Sequence, residues 1–156
     1  MMTSPSATAV HVRRTIPAPP ERVYRAWLDP ELIGRWFAPS TFTVRKAEVD
    51  ERVGGRLSIW HVDGAGNDVG GSESEILELV PGERIVLAWQ FVGPDRTIDP
   101  ALETRLTVTF TATRDGTQLD LIHDRLDGLR DRYPHIAEHV EPGWGSALDA
   151  LVAVGW

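Results

Sequence analysis

The run Glu103-Thr104-Arg105-Leu106-Thr107-Val108-Thr109-Phe110-Thr111-Ala112-Thr113 alternates apolar and polar residues from Leu106 to its end. Side chains of an extended chain point to opposite faces with a period of two. Leu106, Val108, Phe110 and Ala112 therefore share one face, and Thr107, Thr109, Thr111 and Thr113 share the other. Such a strand belongs to a sheet with one buried face and one wet face. The same rule groups Ile85, Leu87, Trp89 and Phe91, then Leu57, Ile59 and His61, then Leu119, Leu121 and His123. Two strands thus carry a histidine on the apolar side. Turn words separate the runs: Gly54-Gly55, Asp63-Gly64-Ala65-Gly66, Pro81-Gly82, Gly93-Pro94 and Asp115-Gly116. Between them the pattern predicts strands at Thr41–Val49, Arg56–Val62, Ser72–Val80, Ile85–Val92, Glu103–Thr113 and Gln118–Arg125. Connections this short predict an antiparallel meander.

Toward the N-terminus, Val10, Val12 and Ile16 mark a further strand that ends at Pro17-Ala18-Pro19-Pro20. Pro20 suits a first helical turn, and Val23, Ala26 and Trp27 recur at helical spacing through Leu28. Asp29 then reads as an N-cap with Pro30 behind it, opening a second short helix with Leu32, Ile33, Trp36 and Phe37 on one stripe. Toward the C-terminus, a polar stretch from Asp127 to Arg132 precedes Ile136, Val140, Trp144, Leu148 and Leu151, whose spacings of four and three make one long helix. Pro142-Gly143 interrupts that helix, so a kink or a fresh start is expected there. The order is one strand, two short helices, six strands and a helix, an α+β arrangement. Residues 1–9 read as a flexible tail and residues 10–156 as a single domain.

Composition narrows the partners. The chain has no cysteine, which excludes disulfides and thiolate chemistry and fits a cytoplasmic location. Met1–Ala9 lacks the basic and apolar pattern of a signal peptide, and no apolar run approaches the roughly 20 residues that span a bilayer, so membrane insertion is not expected. A formal charge of −7, with scattered basic residues, opposes nucleic-acid binding. Six tryptophans, Trp27, Trp36, Trp60, Trp89, Trp144 and Trp156, each need room for a large ring and a partner for its N–H. They can fill a core or line a cavity.

Particular words in this order resemble the AHSA-like branch of the SRPBCC (START, birch-pollen-allergen-like) superfamily. They are Ile16-Pro17-Ala18-Pro19-Pro20-Glu21-Arg22-Val23-Tyr24, Trp27-Leu28-Asp29-Pro30-Glu31 with Trp36-Phe37, and Val53-Gly54-Gly55-Arg56. Further on come Glu78-Leu79-Val80-Pro81-Gly82-Glu83-Arg84-Ile85, the strand of Trp89, Gly116-Thr117-Gln118-Leu119 leading to His123, and Gly143-Trp144 with Leu148-Asp149 and Leu151. The resemblance runs from about Val10 to the C-terminus, and it implies a helix-grip fold, a curved antiparallel sheet wrapped around a long C-terminal helix that encloses a cavity. The superfamily includes lipid carriers, polyketide cyclases and many binders, so the fold alone does not select a function. Two departures bear on pocket shape: Pro142 before Gly143-Trp144, and His61 where an apolar residue is expected.

The first functional expectation is a binder of a small apolar, lipid-like or polyketide-like molecule. Its pocket is assigned to Trp36, Phe37, Leu57, Ile59, His61, Trp89, Phe91, Leu106, Val108, Phe110, His123, Trp144 and Leu148. His61 and His123 would orient the ligand or be satisfied within the core. A second expectation is a protein-interaction or chaperone-cofactor module, in one version a homodimer, using exposed Val152 and Trp156. A third is a cyclase-like enzyme, for which no acid–base pair is visible because Asp120 and Asp124 fall on the face opposite His123. No catalytic residue, cofactor or metal ligand is assigned. His135-Ile136-Ala137-Glu138-His139 spells a zinc-protease word, but only 17 residues follow it and its flanks belong to the core stripe. Asp63–Asp68 lacks the later glutamate of a calcium loop, and Gly54-Gly55 lacks the lysine and helix of a phosphate loop.

Overall fold

The computed structural model describes residues 9–37 and 42–156. Seven strands, β1 (Val10–Ile16), β2 (Thr43–Val49), β3 (Arg56–Val62), β4 (Asp68–Val80), β5 (Arg84–Val92), β6 (Thr104–Thr113) and β7 (Gly116–Asp124), form one antiparallel sheet. Its order is β1-β7-β6-β5-β4-β3-β2, the expected meander from β2 to β7 with β1 added beside β7. Thr41 and the tail residues 1–8 lie outside the described residues. Two helices, α1 (Pro20–Ala26) and α2 (Pro30–Trp36), cross from β1 to β2. Asp29 caps α2 as its sequence position predicts, accepting a 3.0 Å hydrogen bond from the Glu31 N–H.

The terminal helix departs from expectation in two ways. Residues 127–132, a polar stretch in the sequence, are helical (α3, Asp127–Arg132), because Leu129 supplies one buried anchor that periodicity over six residues does not register. The long helix is also divided, into α4 (Pro134–Glu138) and α5 (Val140–Val152). Its fresh start lies at Val140, two residues before Pro142. Pro142 consequently sits in the first turn of α5, where backbone N–H groups have no intrahelical partner to lose. Helical bonding has resumed by the next residue, since the Gly143 N–H donates to the His139 carbonyl at 2.9 Å.

β4 is longer than expected because Gly70-Gly71 bends the strand instead of ending it. A Cβ on Gly71 would lie 2.0 Å from the Ile59 carbonyl oxygen, and Gly70 holds φ +91°, so neither position accepts a side chain without strain. On the convex side, Arg96 fastens this bend. Its guanidinium donates to the Ile59 and Ser72 carbonyls at 3.1 and 2.9 Å, pairs with Glu73, and lies 4.1 Å from the Trp60 ring centre. With Glu73 committed outward, the alternate residues Ser72, Ser74 and Ile76 face the concave side, where all three are buried.

Register then fixes which residues stand abreast on that concave face. Leu57, Ser74, Trp89 and Thr104 form one row, Ile59, Ser72 and Phe91 a second, and Ile76, Leu87, Leu106, His123 and Val10 a third. α2 and α5 close over these rows and carry Trp36, Trp144, Leu148 and Leu151 into the interior.

Candidate functional site

Phe37, at the C-terminal end of α2, is the centre of an aromatic cluster. Its ring lies 4.7 Å from Trp36, 5.7 Å from Trp27, 5.6 Å from Trp144 and 5.8 Å from Trp89, centre to centre. Trp89 extends the cluster to Phe91 at 5.8 Å, and Phe91 stacks on the His123 ring at 5.7 Å. These are offset and edge-on contacts of the kind aromatic quadrupoles favour. The residues come from the end of α1, α2, β5, β7 and α5, so tertiary assembly alone brings them together.

Beside this cluster runs a hydrogen-bonded chain whose polarity can be assigned from its ends. The Trp144 indole can only donate, and it lies 3.0 Å from His123 Nδ1, which must accept. His123 Nε2 then carries the proton and donates to Thr104 Oγ1 at 2.7 Å, and Thr104 donates onward to the Trp89 carbonyl at 3.0 Å. His123 is fully buried, and burial pushes its imidazole down to about 3, so it is neutral at physiological pH. With both ring nitrogens engaged and no charge to exchange, His123 is not placed to shuttle protons. Phe91 stacks on its ring, and Trp89 and Trp144 stand edge-on to it at 5.9 and 6.2 Å.

His61 is half-buried on β3 and its Nε2 lies 3.1 Å from the Phe37 carbonyl oxygen, which ties β3 to the end of α2. Burial lowers its pKa as well, against the opposing pull of that carbonyl. Of the remaining residues assigned from sequence, Leu57, Ile59, Leu106, Val108 and Leu148 are buried in the same core. Phe110 is buried too but packs edge-on against Tyr24 at 5.8 Å, six residues along β6 from Thr104 and so about 20 Å from the Trp89 row. The structure does not bring it to the aromatic cluster.

Four residues of this interior, Trp27, Ser72, Ser74 and Thr104, are not among those assigned to the pocket from sequence. Trp36, Trp144 and Trp156 each donate their indole N–H within the chain, Trp36 to the Ala26 carbonyl and Trp156 to the Leu151 carbonyl. Trp27 and Trp89 do not: both N–H groups are buried without a hydrogen-bond partner among the described residues. The Ser72 and Ser74 hydroxyls share that condition, each side chain being 1% exposed. More than nine in ten buried polar groups in folded proteins are paired, so four orphans along one aromatic interior are unusual. Ser74 stands directly opposite Trp89 and Ser72 opposite Phe91.

Elsewhere, the other sequence words resolve into local structure. His139 folds back on its own helix, its Nδ1 lying 2.5 Å from the His135 carbonyl oxygen. Among the described residues no group of three or more His, Cys, Asp or Glu could hold a metal ion. Asp63 spends its carboxylate on the Ala65 and Asn67 N–H groups, both at 2.9 Å, which makes the hairpin turn between β3 and β4. Trp156 and Val152 are half-buried rather than exposed, and Trp156 lies under Arg22. No helix among the described residues is long and apolar enough to cross a membrane.

A curled seven-stranded antiparallel sheet closed by a C-terminal helix over an aromatic interior defines a helix-grip protein of the SRPBCC type. The chain belongs to the family described as Activator of Hsp90 ATPase homolog 1-like protein, whose sequence model matches residues 17–155. It is 32% identical to protein CV1439 from Chromobacterium violaceum, with a TM-score of 0.73 over 93% of this chain and 95% of that one. Protein Ms6760 from Mycobacterium smegmatis shares the fold at 18% identity, with a TM-score of 0.80 over 99% and 94% of the two chains. CalU16 from Micromonospora echinospora does so at 24% identity, with a TM-score of 0.66 over 94% and 74%. None of the curated proteins matches the sequence.

Proposed function

We propose that the protein binds a small apolar molecule between the concave face of the sheet and α5, without catalysing its conversion. The observation that carries this reading is the aromatic interior around Phe37, in which the Trp27 and Trp89 indoles keep buried N–H groups with no hydrogen-bond partner among the described residues. A core selected only for stability gains nothing from such donors, since each unpaired one costs about 1–3 kcal/mol. A pocket that must hold guests gains orientation from them.

In this reading Trp36, Phe37, Trp89, Phe91 and Trp144 form the aromatic wall, Leu57, Ile59, Leu106, Val108 and Leu148 the aliphatic one, and His123 backs the wall behind Phe91. His61 holds α2 against β3 at the rim. The neutral, doubly bonded state of His123 favours binding over acid–base catalysis. The absence of cysteine and the acidic charge support a cytoplasmic setting with no nucleic-acid partner.

Native mass spectrometry of freshly purified protein tests the reading, followed by titration with small aromatic hydrocarbons. A one-to-one adduct, retained or restored, is the expected result. A bare polypeptide mass at every concentration of every probe would contradict it.

A further inference from the structure

We infer that Ser72, Ser74 and Trp89 form a polar recognition strip for one end of the bound molecule, which is a neutral ligand carrying a hydrogen-bond-accepting oxygen, a ketone or a similar carbonyl, on an otherwise apolar body. This rests on the binding role proposed above and adds the chemistry of the ligand.

The argument starts from valence. An indole N–H donates and cannot accept, so whatever satisfies Trp89 must be an acceptor. A serine hydroxyl can donate to the same atom. Ser74 and Trp89 are directly opposed in the β4–β5 register, and directly opposed residues hold their Cβ atoms about 4.5–5.5 Å apart, so both donors belong to one row of the concave face. Ser72 lies two residues along β4, about 7 Å away, where it can meet a second oxygen or a water bound beside the first. Around them stand Leu57, Ile59 and Phe91, the register neighbours of the two serines. The strip is therefore a short polar line on an apolar floor.

Charge decides the rest. The nearby cationic side chains, Arg96, Arg56 and Lys46, are engaged on the convex side, with Glu73 or over Trp60. A carboxylate or phosphate placed against Ser72 and Ser74 would be buried with no counter-ion, which is far costlier than burying a carbonyl. The neighbouring polar side chains Thr104 and His123 are already saturated by each other, by Trp144 and by the Trp89 carbonyl. What remains for a ligand is donation from the strip.

Equilibrium dialysis with two matched probe pairs tests the inference: acetophenone against ethylbenzene, and 2-acetylnaphthalene against 2-ethylnaphthalene. Each pair is measured on the wild-type chain and on the Ser72→Ala/Ser74→Ala variant, whose fold is checked by circular dichroism. The expected result is that the ketone of the better-fitting pair binds the wild type at least about tenfold more tightly than its hydrocarbon, and that the variant cuts this preference at least about threefold, the remainder being the share of the Trp89 N–H. Equal affinity of ketone and hydrocarbon for the wild type would overturn the strip while leaving the apolar pocket standing. A ketone preference undiminished in the variant would overturn the assignment to the serines. Failure of all four probes to bind would overturn the pocket itself and the strip with it.

Discussion

Two sets of residues that meet in the row holding both Trp89 and Thr104 treat their polar atoms in opposite ways. Along Trp144, His123 and Thr104 every side-chain donor and acceptor meets a partner within the chain, at distances of 2.7–3.0 Å. Along Ser72, Ser74 and Trp89 no side-chain polar atom does. Both sets are buried in the same apolar interior, so desolvation alone does not separate them. The difference is what each set is complementary to: the first to other residues of the fold, the second to something the described residues do not supply. Polar groups paired internally hold a structure in one arrangement, whereas unpaired ones lower stability until a guest arrives.

This contrast can be broken by substitution, and the largest effect is expected at the paired side. Trp144→Ala removes a ring packed against Trp27, Phe37 and Trp89 and orphans His123 Nδ1, so a denaturant melt should show a loss of about 3–5 kcal/mol. A loss well below that would place Trp144 beside empty space instead of packed neighbours. Thr104→Val keeps the shape but strands the His123 Nε2–H, and should cost about 1–3 kcal/mol in the same assay.

The next effect is a pH slope. Folded His123 stays neutral down to about pH 3, whereas unfolded histidine takes a proton near 6.5. Between those values the unfolded state binds more protons, so stability falls as pH falls, by about 1.4 kcal/mol per pH unit from this one group. His61, also lowered by burial, acts in the same direction. Melts between pH 6.5 and about 4.5, above the range where carboxylates dominate, should show the slope, and His123→Gln should reduce it to what the other histidines carry. An unchanged slope would mean that His123 is protonated in the folded state.

Smallest of all is the change expected on the unpaired side. Ser74→Ala exchanges a buried hydroxyl without a partner for a methyl group and should move the melt by no more than about 0.5 kcal/mol, or raise it. A loss comparable to that of Thr104→Val would erase the distinction between the two sets.

The sheet was legible because β6 and β5 alternate cleanly, and alternation reports a one-sided sheet directly. The paired set was half legible. His123 falls on an apolar face, but Thr104 is 19 residues away and Trp144 is 21, on different elements, and no local spacing encodes that meeting. Ser72 and Ser74 were invisible for a different reason. In Ser72-Glu73-Ser74-Glu75 every position is polar, so a period of two carries no contrast and only register against Leu57 and Trp89 tells inside from outside. The break before Pro142 was anticipated but misplaced, since the sequence shows which residue cannot continue a helix and not how far upstream the new first turn begins.

The tryptophans provide the most direct test. Indole N–H groups give separate resonances in a nitrogen–proton correlation spectrum, and single Trp→Phe variants assign them. On titration with 2-acetylnaphthalene, the Trp89 indole resonance should move downfield as its N–H acquires an acceptor, while that of Trp156, bonded to the Leu151 carbonyl and outside the aromatic wall, should stay in place. A titration in which Trp89 does not respond, or in which every indole shifts alike, would contradict a pocket built around unpaired donors.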